Sequence, residues 1–255
     1  MGYELLNIYG PIGIHIYGLF IAIGILVFTW FISQDKRFTT MKLAGKFSEI
    51  LLVGVIAAVI GGRLLYIIEE PHAFDSYLEW FAFWKEGFSV LGSIVGILFV
   101  LPWYLKRLGI PIFPFADFVS IYIPLLQAIA RLGCFFAGCC YGISTTVPWA
   151  VIYTNPNTIA PLHCYVHPTQ LYSATLLFFI FIIMYFVLQK ILHKSGQLVT
   201  TYLMLASTER FIVDFWRADN LFPFDFLPFS FAQLIALVIF ASALIGFIYA
   251  SWRQH

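Results

Sequence analysis

The sequence predicts an all-α protein that crosses a membrane repeatedly, with seven transmembrane helices in a single domain over residues 1–255. Hydrophobic residues make up 61% of the chain and charged residues only 11%, against roughly a quarter in soluble domains. Seven segments are apolar over about the 20 residues that a helix needs to cross the hydrocarbon core. Lysine and arginine also alternate from loop to loop, as they do in a multi-pass protein.

The seven predicted spans follow one another along the whole chain. They cover residues 14–32, 48–68, 88–105, 115–136, 168–190, 198–217 and 231–249. The sixth span has the weakest signal, because the stretch TERFIVDFWR places four charged residues in its second half. We find no internal repeat and no soluble domain in the sequence.

The distribution of lysine and arginine predicts the orientation of the chain. Nine of these residues lie in the loops 33–47, 106–114 and 191–197, at the adjoining Lys190, and in the C-terminal tail. Only Lys85 lies in a loop on the opposite side. Since cytoplasmic loops carry the excess of basic residues, the N-terminus should be outside and the C-terminus in the cytoplasm. The formal net charge of +1 gives no reason to expect a nucleic acid as a partner.

Four arginines lie within or at the end of predicted spans: Arg63, Arg131, Arg210 and Arg217. The first three are about five to seven residues from the outer end of their span, or roughly 7–10 Å deep. Asp214 is spaced to pair with Arg210 and Arg217 on one helical face, and the sequence suggests no such pair for the other two. Because arginine suits phosphate oxygens, we predict a pocket for an anionic lipid headgroup in the outer leaflet. Snorkelling or structural ion pairing is the alternative.

Polar side chains also mark the outer ends of spans 1 and 5. Span 1 begins with His15 and Tyr17, and span 5 begins with His167, Gln170 and Tyr172. These side chains should lie at the level of the arginines. An aromatic belt for the tyrosines and simple solvation of the histidines are the alternatives to a role in the pocket.

All four cysteines lie near the outer surface in the predicted topology. Cys134, Cys139 and Cys140 lie at or just beyond the outer end of span 4, and Cys164 precedes span 5. We expect a disulfide from Cys164 to Cys139 or Cys140, which would order the segment between them, while Cys134 remains a thiol. A nucleophilic or redox thiol is the alternative. No metal ion is expected, since CFFAGCC lacks the C-x-x-C spacing of common zinc sites.

Five motifs, in order along the chain, resemble those of the bacterial prolipoprotein diacylglyceryl transferases. They are HIYGL at 15–19, GGRLLY at 61–66, ARLGCFFAGCCYG at 130–142, HPTQLY at 167–172 and RFIVDFWRAD at 210–219. The resemblance implies a seven-helix protein of the bacterial inner membrane. It also implies transfer of the diacylglyceryl group of phosphatidylglycerol to the thiol of a prolipoprotein lipobox peptide, which forms a thioether and releases glycerol phosphate.

The resemblance also implies roles for individual residues. It makes Arg131 and Arg210 the central arginines, and Arg63, Gln170, Asp214 and Arg217 would shape the same site. To these we add Tyr17 as a residue that would bind the lipid substrate. The implied partners are phosphatidylglycerol, the lipobox peptide and membrane lipids, without a cofactor or nucleic acid.

The sequence departs from the family pattern at the positions of the residues that are expected to transfer protons. Leu91 stands in place of a histidine in the third span, and Cys134 and Cys139 stand in place of Asn and Glu in the central signature. With that histidine absent, His167 or His15 is the expected base. A membrane thiol oxidoreductase and a non-catalytic phospholipid-binding paralogue are therefore the alternatives to the transferase.

Overall fold

The computed structural model of the chain describes residues 4–9, 12–74, 76, 79–80, 87–156, 158–218 and 228–252. This described part is mostly helical. Its helices are α1 Ile16–Gln34, α2 Lys36–Thr40, α3 Phe47–Glu69, α4 Val90–Arg107, α5 Ile112–Ser120, α6 Ile123–Ala137, α7 Thr169–Phe186, α8 Gln197–Asp214 and α9 Phe231–Trp252. Its strands are β1 Glu4–Tyr9, β2 Ile12–His15, β3 Val151–Ile152 and β4 Tyr165–Val166, and they pair β1 with β2 and β3 with β4.

Helices occupy most of each of the seven segments that were predicted to span the membrane. Among the described residues, five are long and apolar enough to cross it: α1, α3, α4, α9, and α7 continued to Lys190. The fourth predicted span is a helix pair, α5 and α6, bent by 49° at the break between them. The charged helix α8 does not qualify. The chain is therefore a polytopic membrane protein with five to six candidate spans, and the seventh crossing and the orientation stay predictions.

The chain divides into two compact units. One comprises Met1–Ile8, Gly13–Ser33 and Ala116–His255, and the other comprises Tyr9–Ile12 and Gln34–Phe115. The prediction of a single domain over residues 1–255 is not tested by this division and stays a prediction.

In the smaller unit, α3 and α4 pack backbone against backbone at a set of glycines. A Cβ atom added to Gly61 would lie 2.4 Å from the carbonyl oxygen of Gly92, and one added to Gly92 would lie 2.4 Å from that of Gly61. A Cβ on Gly96 would lie 2.3 Å from the carbonyl oxygen of Ala57. Small residues spaced four apart allow such close approach of membrane helices.

We expect Gly61→Ala to lower the free energy of unfolding by about 1–3 kcal/mol, because the new methyl group would push α3 and α4 apart. Gly54→Ala is the matched control on the same helix, since a Cβ atom there has nothing within 4 Å. That control should leave stability unchanged or raise it by up to about 1 kcal/mol through helix propensity. Unfolding in detergent, followed by circular dichroism, measures both, and equal effects would contradict the close contact.

In the larger unit, α6, α7, α8 and α9 pack in sequence order. The segment between α6 and α7 is held to this unit by backbone hydrogen bonds. Gly142 N donates to His167 O at 3.0 Å, and Ile143 N donates to Trp216 O at 2.9 Å. β3 and β4 pair antiparallel, with Val151 opposite Val166. This ordering brings the end of α6, the start of α7 and the end of α8 together.

Candidate active site

A pocket lies among α6, α7 and α8 in the larger unit. Its lining is unusually polar for a membrane helix bundle. The lining residues are Arg131, Cys140, Thr169, Gln170, Ser173, Glu209, Arg210, Val213 and Arg217. The structure therefore brings together three of the four arginines that the sequence predicted to lie inside spans.

The buried carboxylate of Asp214 holds two of these arginines. Arg210 Nη2 lies 3.0 Å from Asp214 Oδ1, and Arg217 Nε lies 3.8 Å from the same oxygen. The other carboxylate oxygen accepts a hydrogen bond from Ser230 Oγ. The predicted pairing of Asp214 with both arginines is confirmed. Asp214 is fully buried, so it acts as an anchor that orients the arginine side chains along the pocket.

Arg131 is placed differently from the other two arginines. It projects from α6, is half-buried, and has no hydrogen-bond or ion-pair partner among the residues that the structure describes. A guanidinium at this depth is costly unless an anion or water satisfies its five donors. Its charge and fork geometry are therefore available to a bound anion.

Gln170, at the start of α7, has a side-chain oxygen without a hydrogen-bond partner among the described residues. Its Nε2 donates to Cys139 O at 2.7 Å and to Tyr153 Oη at 3.2 Å, while Tyr153 Oη donates to Phe135 O at 3.2 Å. Burial raises the pKa of Tyr153 to about 12, so it remains a neutral donor. These bonds fix the orientation of the amide. Gln170 Oε1 is buried without a hydrogen-bond partner among the described residues, and a ligand hydroxyl would satisfy it.

Glu209 and Ser173 belong to the pocket but were not predicted. Ser173 Oγ donates to Glu209 Oε1 at 2.5 Å, and both residues are buried. Two signals in the sequence pointed to them. Glu209 is one of the four charges in TERFIVDFWR, and Ser173 follows Gln170 by three residues on the same face of α7. Glu209 is the single carboxylate among the lining residues, against three arginines, so the lining is rich in positive charge.

Arg63, in the smaller unit, is bound by the loop that follows α3. It is only 2% exposed. Its guanidinium donates to three backbone carbonyl oxygens, those of Glu79 at 2.7 Å, Gly87 at 2.9 Å and Trp80 at 3.2 Å. It also lies over the rings of Phe74 and Phe88, 5.0 and 5.7 Å from their centroids. These contacts satisfy the donors of the guanidinium. The prediction that Arg63 faces one cavity with Arg131 and Arg210 stays a prediction.

The predicted interfacial residues have different placements. His167 does not line the pocket, and its Nδ1 lies 3.0 Å from Tyr172 Oη. Tyr172 Oη accepts a hydrogen bond from Trp149 Nε1 at 2.6 Å, so its own proton is free to go to His167. Tyr17, on α1, is partly exposed, and its ring packs against Gly133 on α6. The side chain of His15 lies outside the described residues.

The predicted disulfide is absent, since all four cysteines are free thiols and Cys164 is exposed. Instead, the Sγ atoms of Cys134, Cys139 and Cys140 lie within 4.8 Å of one another. Cys134 was predicted to lie deeper in the membrane than the other cysteines. In the structure, α6 ends at Gly138, which adopts the left-handed conformation with φ 69°. The chain turns back there, and Cys139 N bonds to Cys134 O at 3.2 Å. Backbone hydrogen bonds, not a crosslink, order the segment that follows.

The three sulfur atoms are close enough to bind one metal ion. The missing C-x-x-C motif therefore does not exclude a metal site here. Hydrogen bonds with the thiols of Cys134 and Cys139 lower the pKa of the Cys140 thiol. The positive charges of Arg217 and Arg131 act in the same direction.

Comparison with known proteins gives the family. The model of the prolipoprotein diacylglyceryl transferase family matches residues 4–249. A phosphatidylglycerol–prolipoprotein diacylglyceryl transferase of Clostridium tetani is 34% identical over 220 residues, covering 84% of this chain and 82% of the relative. The protein of the same name from Fervidobacterium nodosum is 31% identical over 245 residues, covering 94% and 80%. That from Bordetella avium is 28% identical over 251 residues, covering 96% and 93%. The chain therefore belongs to the prolipoprotein diacylglyceryl transferase family.

Proposed function

We propose that this protein transfers the diacylglyceryl group of phosphatidylglycerol to the thiol of a prolipoprotein lipobox cysteine, at the outer face of the bacterial inner membrane. The observation that carries the proposal is the convergence of Arg131, Arg210 and Arg217 on one pocket. The names of the relatives give phosphatidylglycerol, a prolipoprotein and diacylglyceryl transfer for those proteins. A phospholipid offers the phosphate that such a pocket suits.

The arginines would act on the leaving group of this reaction. The acceptor sulfur forms a bond to the terminal glycerol carbon of the diacylglyceryl group, and the bond from that carbon to the phosphate oxygen breaks. The electron pair leaves with glycerol phosphate, whose negative charge grows in the transition state. Arg131 would bind that phosphate directly, while Arg210 and Arg217 are oriented towards it by Asp214. Preorganised donors at a site of developing charge are the largest source of such catalysis.

The remaining polar side chains would place the lipid. Gln170 Oε1 is a buried acceptor without a described partner, so we assign it to a hydroxyl of the glycerol headgroup. Tyr17, on the neighbouring α1, would contact the same substrate. His167 stays a proposed proton acceptor that acts from outside the pocket lining, with Nδ1 engaged by Tyr172.

The proposal includes seven spans with the N-terminus outside, which places Cys164 on the outer face. We expect a membrane-impermeant maleimide to label Cys164 in intact cells without prior reduction, because its thiol is exposed and free. Cys164→Ser should lose this label. Labelling that appears only after permeabilisation would contradict the orientation, and labelling that requires reductant would contradict the free thiol.

The reaction itself is tested with purified protein, phosphatidylglycerol labelled in its headgroup, and a lipobox peptide. We expect released glycerol phosphate and a peptide heavier by one diacylglyceryl group, and neither product with a peptide that carries serine in place of the cysteine. Lipid that binds without turnover would favour the phospholipid-binding paralogue. Disulfide exchange in the peptide without lipid transfer would favour the oxidoreductase.

A further inference from the structure

Three thiols are gathered beside the arginine pocket at the end of α6. The Sγ atoms of Cys134, Cys139 and Cys140 lie within 4.8 Å of one another. The first is buried and the other two are half-buried. Cys140 also lines the pocket, so the cluster and the arginines share one wall.

We propose that these three cysteines bind one soft divalent metal ion, of which zinc is the representative, and leave its fourth coordination position open. Thiolate sulfur selects soft and borderline ions. At a zinc–sulfur distance of about 2.3 Å, three ligands of a tetrahedral ion lie about 3.8 Å apart, within the 4.8 Å limit of the cluster. Three protein ligands with one exchangeable position is the pattern of catalytic zinc sites, whereas structural sites use four.

The backbone around the ligands is held by buried side chains of α7. Gln170 Nε2 donates to Cys139 O at 2.7 Å, and Thr169 Oγ1 donates to Cys140 O at 2.7 Å. Both side chains are about 1% exposed. Cys140 itself has a positive φ of 59°, which is uncommon for a residue other than glycine. These two bonds fix the backbone of Cys139 and Cys140, and with it the positions of two of the three ligands.

The charges around the cluster suit a metal thiolate site. Three thiolates and one divalent cation carry a net charge of −1. Arg131 and Arg217 line the same pocket as Cys140 and offset that charge. Without them, a negative centre in a membrane protein would be costly.

The role of this site rests on the proposed function, although the site itself does not. A thiol that coordinates such an ion gives up its proton. The acceptor cysteine would bind at the open position and release its proton to water, from which His167, outside the pocket lining, would accept it. Its sulfur would then attack the lipid carbon as a thiolate, while the phosphate leaves towards Arg131. No histidine lines the pocket among the described residues, so the metal would supply the activation that a base otherwise gives.

Metal content of the full-length protein tests the site. Protein purified in detergent without chelator and equilibrated with micromolar zinc should hold about one zinc ion per chain by mass spectrometry. Cys164→Ser, which changes the cysteine outside the cluster, should retain it, and Cys139→Ser should hold at least tenfold less. Cobalt-loaded unmutated protein should show thiolate-to-cobalt absorption, which decides the matter even if Cys139→Ser fails to fold.

The acceptor role has a separate readout. A lipobox peptide with a free cysteine should shift the cobalt spectrum, and the same peptide with serine should not. Protein without bound zinc or cobalt, or with a disulfide within the cluster, would overturn the site. Metal bound without a response to the cysteine peptide would overturn the acceptor role. A full response without lipid turnover would instead contradict the proposed transfer.

Discussion

Arg131→Ala should lower kcat/KM for lipid transfer by about 10²–10³-fold, the loss typical of removing one preorganised donor to a developing anion. The same change should leave the free energy of unfolding nearly unaltered, because Arg131 has no hydrogen-bond or ion-pair partner among the described residues. Released glycerol phosphate measures the first quantity, and unfolding in detergent measures the second. This combination separates a residue that binds substrate from one that holds the fold.

Two variants serve as controls for Arg131→Ala. Arg131→Lys keeps the charge but loses the planar fork, so it should recover part of the activity. Lys106→Ala removes an exposed charge in the last turn of α4 and should leave transfer unchanged. If Arg131→Ala keeps full activity on phosphatidylglycerol, the pocket does not bind the phosphate of the substrate.

Asp214→Asn should have the largest effect on stability. The change leaves Arg210 and Arg217 beside a neutral amide at a fully buried position. Removing one member of a buried ion pair costs about 3–5 kcal/mol, because the remaining charge is left uncompensated. Activity should fall as well, since the two arginines lose the group that orients them. Unfolding in detergent and the lipid-transfer assay measure the two effects.

Asp35→Asn is the matched control for this prediction. Asp35 also pairs with an arginine, with Arg37 Nη2 2.5 Å from its Oδ2, but the Asp35 side chain is 12% exposed whereas that of Asp214 is fully buried. Asparagine keeps the cap that Asp35 gives to the Arg37 backbone N–H. The expected loss is therefore about 0–1 kcal/mol. Equal losses in the two variants would show that burial of the pair around Asp214 does not matter.

The sequence was most informative about which segments are helical and which charged residues lie within apolar segments. Apolar runs of the right length predicted the positions of all the long helices, because helix length in a bilayer is set by its thickness. The pairing of Asp214 with Arg210 and Arg217 followed from spacing along α8 and its end. Such features depend on neighbours in the chain, so they can be read without the tertiary structure.

The predicted depth of a charged residue did not show which groups that residue contacts. Arg63 and Arg131 are predicted at the same depth, yet Arg63 binds the carbonyls of its own loop while Arg131 faces the pocket. Glu209 was overlooked because its partner, Ser173, lies 36 positions away in the chain. Whether a buried charge is satisfied depends on groups that are distant in sequence.

What the sequence alone determined is the membrane class of this protein and the set of polar residues within its helices. Only the tertiary structure decided which of those residues meet. The left-handed turn at Gly138 shows why, since it folds the chain back over α6 and gathers the sulfurs of Cys134, Cys139 and Cys140. A hydrophobic pattern records which segments avoid water, but it does not record where the chain reverses or which distant groups then come within bonding distance.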